Sequence, residues 1–317
     1  MGRGGEERQH QARLTCTLPL LTDPVPHSAG LNRPQRMPPP GACDCHMHIF
    51  DARFAPSPHW PRTPPDAPVA AYRRLQQRLG TSRAVVVTPS TYGTDNACTL
   101  DALGQLGDCA RGVAVVGVGV SAEELSRLAA RRVRGLRVNF VSPQSWGATT
   151  PEMLATLARK VAEHPACEGW HVQVFAHPEQ LVAMARQLGA LPVPLVIDHL
   201  GRIDPAEGTT APAYGVVRRL LDGGNTWVKL SGAYMRSAAQ GPGYADTVPL
   251  GCALVQSAPE RLVWGSDWPH TTEAPGSVND ADLLNLLYAW AGSEAQAHRI
   301  LVDNPARLYG FSSPPSQ

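Results

Sequence analysis

The chain has 317 residues, with 28 basic against 27 acidic side chains and a formal net charge of +1, which gives no footprint for a nucleic-acid or anionic-membrane partner. Its 43% apolar content suits one large globular core, and no apolar run reaches the length of a membrane span. Seven cysteines without paired CxxC spacing speak against a zinc ribbon or a disulfide framework, so free thiols in a cytoplasmic protein are the expectation.

Residues 1–40 are polar and rich in arginine, glutamine and proline, ending in Pro38-Pro39-Pro40. Such a stretch buries little, and a disordered N-terminal extension is expected there. Met37, just before the prolines, offers an alternative translation start. From residue 41 to 317, short β-branched runs alternate with helical patterns. Strands are expected over Ala42–Phe50, Ala84–Thr88, Gly112–Val120, Gly135–Phe140, Trp170–Phe175, Leu195–His199, Trp227–Ser231 and Leu262–Ser266. Amphipathic helices are expected over Val69–Leu79, Ala122–Arg132, Pro151–Glu163, Pro178–Leu188, Tyr214–Leu221 and Tyr244–Ser257. Eight apolar strands alternating with helices predict a single-domain α/β fold of the (β/α)8 TIM-barrel type. A doubly wound open sheet is the alternative, but no glycine-rich phosphate loop follows the first strand.

In such a barrel the reactive residues sit where strands end. The first strand carries Cys43-Asp44-Cys45-His46-Met47-His48. Residues two apart share a strand face, so His46 and His48 should project together, with Cys43, Cys45 and Met47 facing the other way. Further along, Ser90 follows the second strand, Arg137 and Asn139 lie on the fourth, and Asp198-His199-Leu200-Gly201-Arg202 ends the sixth. Tyr234 and Arg236 follow the seventh, and Ser266-Asp267-Trp268-Pro269-His270 follows the eighth. Any one of these could be a satisfied structural polar group. Their collection at one end of the barrel is what argues for a site.

HxH on strand one, histidine on strand six and aspartate on strand eight resemble the amidohydrolase superfamily. The phrases Thr-Pro-Ser-Thr-Tyr-Gly-Thr-Asp-Asn, Gly-Leu-Arg-Val-Asn-Phe, Ile-Asp-His-Leu-Gly-Arg and Gly-Ser-Asp-Trp-Pro-His are similar to its 2-pyrone-4,6-dicarboxylate lactonase group, as is the ending Asp303–Gly310. The resemblance implies a hydrolase that opens a carboxylated lactone, in aromatic or sugar-acid catabolism. Asp267 would be the general base, its pKa lifted by burial. His46, His48 and His199 would polarise the carbonyl, and Arg137, Arg202 and Arg236 with Ser90 would hold substrate carboxylates. It also implies catalysis without a metal; one zinc on His46, His48 and Asp267, completed by His199 or water, is the alternative.

Two departures from the group bear on the substrate. Val141–Ser145 lacks an arginine the group carries, and Phe175 stands where it has a tyrosine. A related lactone with fewer or differently placed carboxylates is therefore expected, muconolactone-like or a sugar-acid lactone. A lactone isomerase, a zinc-dependent decarboxylase of muconate-like acids and a non-catalytic binding barrel are the competing functions.

Overall fold

The computed structural model describes residues 24–142, 149–239 and 243–312. Eight parallel strands follow one another in chain order: β1 (Cys43–Met47), β2 (Arg83–Val87), β3 (Ala110–Ala114), β4 (Val133–Asn139), β5 (His171–Phe175), β6 (Leu195–Ile197), β7 (Thr226–Leu230) and β8 (Leu262–Trp264). Each strand pairs in parallel with the next, and helices cross between them. This is the (β/α)8 arrangement expected from the alternating pattern.

The seam between β8 and β1 is tight. The Asp267 N–H donates to the His46 carbonyl at 2.7 Å and the His48 N–H to the Trp268 carbonyl at 2.9 Å. A Cβ on Gly265 would lie 2.8 Å from the His46 nitrogen, so only glycine lets the two chains approach this closely. Buried Asp44 bolts the seam, accepting from the Ser266 hydroxyl at 2.6 Å and backbone N–H at 2.9 Å.

Alternation sorts the core into two sets. Val85, Val87, Val113, Val196, Trp227 and Val263 face the barrel axis and pack with Leu308, Tyr309 and Phe311. Those last residues lie in and just after the closing helix Asn304–Tyr309, which plugs the N-terminal end of the barrel. Their strand neighbours, such as Val86, Ile197 and Val228, face the helical shell.

Two expectations need correction. Cys43 and Cys45 belong to the axial set, on the same side as the histidines. From Asp44 to Met47, β1 spends one residue more than β2 spends from Ala84 to Val86. That bulge resets the alternation, so both Cys45 and His46 turn inward. The second concerns the extension. Residues 1–23 lie outside the described residues, but from residue 24 the chain packs on the barrel. Val25 is buried, Trp268 Nε1 donates to the Pro26 carbonyl at 2.8 Å, and Arg78 donates to the carbonyls of Ala29 and Gly30 at 3.2 and 2.9 Å. A polar segment is ordered here because its backbone oxygens satisfy a buried guanidinium.

The helices Val69–Leu79 and Pro151–Glu163 have the expected limits, while the Pro178–Leu188 pattern is divided into Pro178–Ala183 and Ala185–Gly189. No helix among the described residues is long and apolar enough to cross a membrane. The described cysteines are all free thiols.

Candidate active site

The C-terminal ends of the strands converge on a pocket lined by His48, Trp60, Arg62, Ser90, Arg137, Asn139, Phe175, His199, Met235 and Asp267. At its floor four donor atoms meet. His46 Nε2 lies 3.3 Å from His48 Nε2, and Asp267 Oδ1 lies 3.5, 3.5 and 3.8 Å from the Nε2 atoms of His46, His48 and His199. The backbone is held in unusual conformations to achieve this: His199 and Asp267 have φ of 52° and 61°, a left-handed region that non-glycine residues rarely adopt.

The far nitrogen of each imidazole sets its tautomer. His48 Nδ1 is 2.8 Å from the Val87 carbonyl, an acceptor only, so Nδ1 carries the proton and Nε2 offers a lone pair. His46 Nδ1 instead receives a hydrogen bond from the Lys229 ammonium at 3.2 Å; Asp198 Oδ1 approaches to 3.3 Å without hydrogen-bond geometry. That places the His46 proton on Nε2, where it can be donated to His48 Nε2. His199 Nδ1 is 2.9 Å from the Ser231 hydroxyl, which can donate to it and leave an Nε2–H as well.

Electrostatics agree with neutral rings. Burial, and for His46 the adjacent Lys229, hold His46 and His199 below the usual histidine range. Burial brings Lys229 down to about 8, with Asp198 opposing the shift, so the ammonium persists at neutral pH. Asp198 is the counter-ion, held well below the carboxylate range, despite its burial, by the cationic Arg137 and Lys229. It also accepts from Arg137 Nε at 3.1 Å and Gln173 Nε2 at 3.0 Å. Asp267 departs from the sequence expectation. Burial does push its pKa up, but the neighbouring imidazoles, His199 foremost and His46 with it, outweigh it and hold the carboxyl below its ordinary value.

The amidohydrolase family pattern matches residues 43–311. The chain belongs to the amidohydrolase family. It is 36% identical over 278 residues to a 4-sulfomuconolactone hydrolase of Rhizobium radiobacter, covering 86% of this chain and 91% of that one. It is 33% identical over 292 residues to a 2-pyrone-4,6-dicarboxylate hydrolase of Comamonas testosteroni, covering 89% and 94%. An apo crystal structure from Agrobacterium tumefaciens superposes with a TM-score of 0.78 at 30% identity, covering 89% of this chain and all of the other.

Within this amidohydrolase site, His46, His48, His199 and Asp267 come together at the floor, and Arg137 and Ser90 line the wall. Ser90 Oγ accepts from Asn139 Nδ2 at 2.7 Å. The Arg137 and Arg202 guanidiniums sit 5.1 and 5.2 Å from the centre of the Phe175 ring. Arg236 is not brought to the pocket. It pairs with Asp204 at 3.2 Å and lines a separate groove with Pro178 and Glu179. The stretch 141–145 that lacks the family arginine is described only through Ser142.

Sequence reasoning missed Lys229 and Gln173, the part Asp198 plays with them as a polar network beneath the histidines, and Trp60 and Arg62 at the mouth. Lys229 had a signal: a lysine inside the apolar strand Trp-Val-Lys-Leu has to find a buried acid. Arg62 had none, because a long loop carries it to the mouth, where its guanidinium lies 5.0 Å from the centre of the Trp60 ring.

His46, His199 and Asp267 also present one ligand atom each within 4.8 Å of one another. The 3.5 and 3.8 Å separations of Asp267 Oδ1 from the Nε2 atoms of His46 and His199 suit two edges of a tetrahedron around one divalent ion. His48 adds to the fit, since its Nδ1 bond to a backbone carbonyl is the usual support of a metal-ligating histidine. The donor set can therefore hold a single metal.

Proposed function

We propose that this amidohydrolase hydrolyses a lactone bearing carboxylate or other anionic groups, and that the Lys229–His46 contact lets it do so without requiring a metal. The convergence of His46, His48, His199 and Asp267 under a mouth rimmed by arginines carries the reading.

The lactone carbonyl oxygen takes hydrogen bonds from the Nε2–H groups of His46 and His199, displacing those groups from His48 and Asp267. Water lies between Asp267 Oδ1 and the His48 Nε2 lone pair, both acceptors. As water attacks the carbonyl carbon, Asp267 takes its proton and negative charge builds on the carbonyl oxygen. Collapse of the tetrahedral intermediate breaks the ring C–O bond, and the departing oxygen recovers the proton from Asp267. The product is the ring-opened acid.

Substrate binding also repairs the basicity of Asp267. In the free enzyme the imidazoles hold its pKa down. Once His199 and His46 turn their protons to the substrate, that restraint weakens and burial acts to raise it. Arg137, Arg202 and Arg62, with the Ser90 hydroxyl, hold the substrate's anionic groups. Phe175 offers no hydroxyl, so a substrate polar group against that wall would go unpaired.

The metal alternative rests on the same floor: His46, His48, His199 and Asp267 would hold the ion, which would polarise the carbonyl and acidify the attacking water. Lys229 argues against dependence on it, because an ammonium donating to His46 Nδ1 places the ring proton on Nε2, where a metal would bind. Incubation with muconolactone-type, pyrone-dicarboxylate and sugar-acid lactones, with and without chelator, tests the reading. Chelator-insensitive ring opening with net addition of water is expected. Isomerisation without hydrolysis, or carbon dioxide release that chelation abolishes, would overturn it.

A further inference from the structure

Asp267 turns only one oxygen to the pocket. The other, Oδ2, accepts a 2.5 Å hydrogen bond from the Tyr234 hydroxyl. Behind it runs a chain of contacts unlike any surface network. Tyr234 Oη lies 3.1 Å from His270 Nδ1, and His270 Nε2 lies 3.1 Å from Asp280 Oδ2. Ser28 Oγ donates to that same oxygen and in turn accepts from Arg78 Nη2. His270 is only 3% exposed and Asp280 is fully buried.

Counting protons fixes the direction. The single Tyr234 hydroxyl proton is given to Asp267, so its oxygen is free only to accept, and His270 Nδ1 must donate. Asp280 Oδ2 accepts, so His270 Nε2 donates as well. His270 is therefore the doubly protonated imidazolium, and a ring that donates at both ends cannot flip or rotate without breaking two hydrogen bonds. Asp280 Oδ1, by contrast, is buried with no hydrogen-bond partner among the described residues. Burying a half-satisfied carboxylate is costly, which argues that its position serves something other than stability.

We propose that Tyr234, His270, Asp280 and Ser28 are positioning residues for Asp267, a hydrogen-bonded chain that keeps Oδ1 aimed at the lactone. Residues 24–30, tied down through Ser28 and the Arg78 contacts to the Ala29 and Gly30 carbonyls, thereby become part of the active-site support. The proposal rests on the reading of Asp267 as the base. It requires no proton to travel along the chain; what the chain supplies is orientation.

Two measurements on the full chain test it. The first is steady-state kinetics with a lactone the protein opens. Tyr234→Phe and His270→Leu are expected to lower kcat by roughly tenfold to a hundredfold with KM nearly unchanged, as for a misaimed catalytic group. His270→Asn, which keeps an N–H donor near the Nδ1 position, should recover much of the loss. Ser28→Ala should lower kcat in the same sense but less. The second is imidazole 1H–15N spectroscopy of the substrate-free protein. His270 should show two slowly exchanging ring N–H signals, the Nδ1–H lost in Tyr234→Phe and the Nε2–H perturbed in Ser28→Ala. Unchanged kcat in Tyr234→Phe, or no difference between His270→Asn and His270→Leu, overturns the positioning role. A single ring N–H on His270 overturns the chain itself. If the unaltered protein opens no lactone, the functional reading fails and the spectra still decide whether the chain exists.

Discussion

The Lys229 ammonium reaches His46 Nδ1 at 3.2 Å while its other contacts, to the Cys45 carbonyl at 2.8 Å and Asp198 at 3.8 Å, hold it at the bottom of the site. One buried cation thus decides what His46 can do. With Lys229 donating, the ring is an Nε2–H donor suited to an oxyanion. Without it, Nδ1 could give its proton to Asp198, and His46 would become a lone-pair donor suited to a metal.

Lys229→Met is therefore expected to lower kcat by about a hundredfold, the scale of losing one oxyanion donor. Chelation should leave the parent rate within about twofold, since no bound ion is required in the proposed steps. Added zinc should bind Lys229→Met more tightly than the parent, measured by calorimetric titration. Parent activity that disappears on dialysis against chelator and returns with zinc would reverse the assignment.

Asp267→Asn should reduce kcat by roughly three orders of magnitude, within the range of a lost general base. The amide is nearly isosteric, and its oxygen can still accept from Tyr234. Binding of the substrate, followed by calorimetry in the inactive variant, should stay within a few-fold of the parent KM. Retained turnover would remove Asp267 from its role.

Much of the fold and of the candidate site is legible in the sequence. The strands are short apolar runs with helices between, so all eight could be placed, seven of them with ends within three residues, while the third was read to Val120 and ends at Ala114. The histidines and Asp267 were visible as a candidate site because reactive groups on such a barrel collect at strand ends. What failed was everything that depends on a local exception or on distance in the chain. The bulge in β1 that turns Cys45 inward leaves no trace in residue type. The helix Asp280–Ala291 is apolar almost all round, because it is buried on most sides, and so lacks an amphipathic stripe. Arg236 was expected in the pocket because its position resembles a family anchor. A nearby carboxylate, Asp204, claims it instead.

That displacement makes the arginines separable by experiment. Arg236→Met should leave KM for an anionic lactone within about twofold, as befits an exposed ion pair worth well under 1 kcal/mol. Arg62→Met and Arg202→Met should raise KM for the same substrate by about tenfold each, the worth of one charge-assisted contact. A neutral lactone should be indifferent to all three substitutions. Loss of affinity in Arg236→Met, with Arg62→Met and Arg202→Met unaffected, would overturn the assignment.

The last expectation concerns stability and the axis of the barrel rather than its mouth. His171 on β5 is fully buried, rests against Gly135 where a Cβ would lie 2.5 Å from its Nε2, and meets Tyr309 edge-on at 5.3 Å between centroids. Burial, reinforced by Lys229, lowers its pKa from 6.5 to about 3. The unfolded chain takes up a proton near pH 6.5, whereas the folded chain resists until about pH 3. Above the upper value His171 adds no pH dependence. Below it, stability falls by about 1.4 kcal/mol per pH unit because the unfolded state binds more protons. His171→Phe keeps a ring against Tyr309 and removes the titration. Between pH 7 and pH 5 its urea-unfolding free energy should fall by about 2 kcal/mol less than the parent's, as that slope over some 1.5 pH units gives. Identical pH dependence in the two proteins would mean that His171 is protonated, or hydrated, inside the folded barrel.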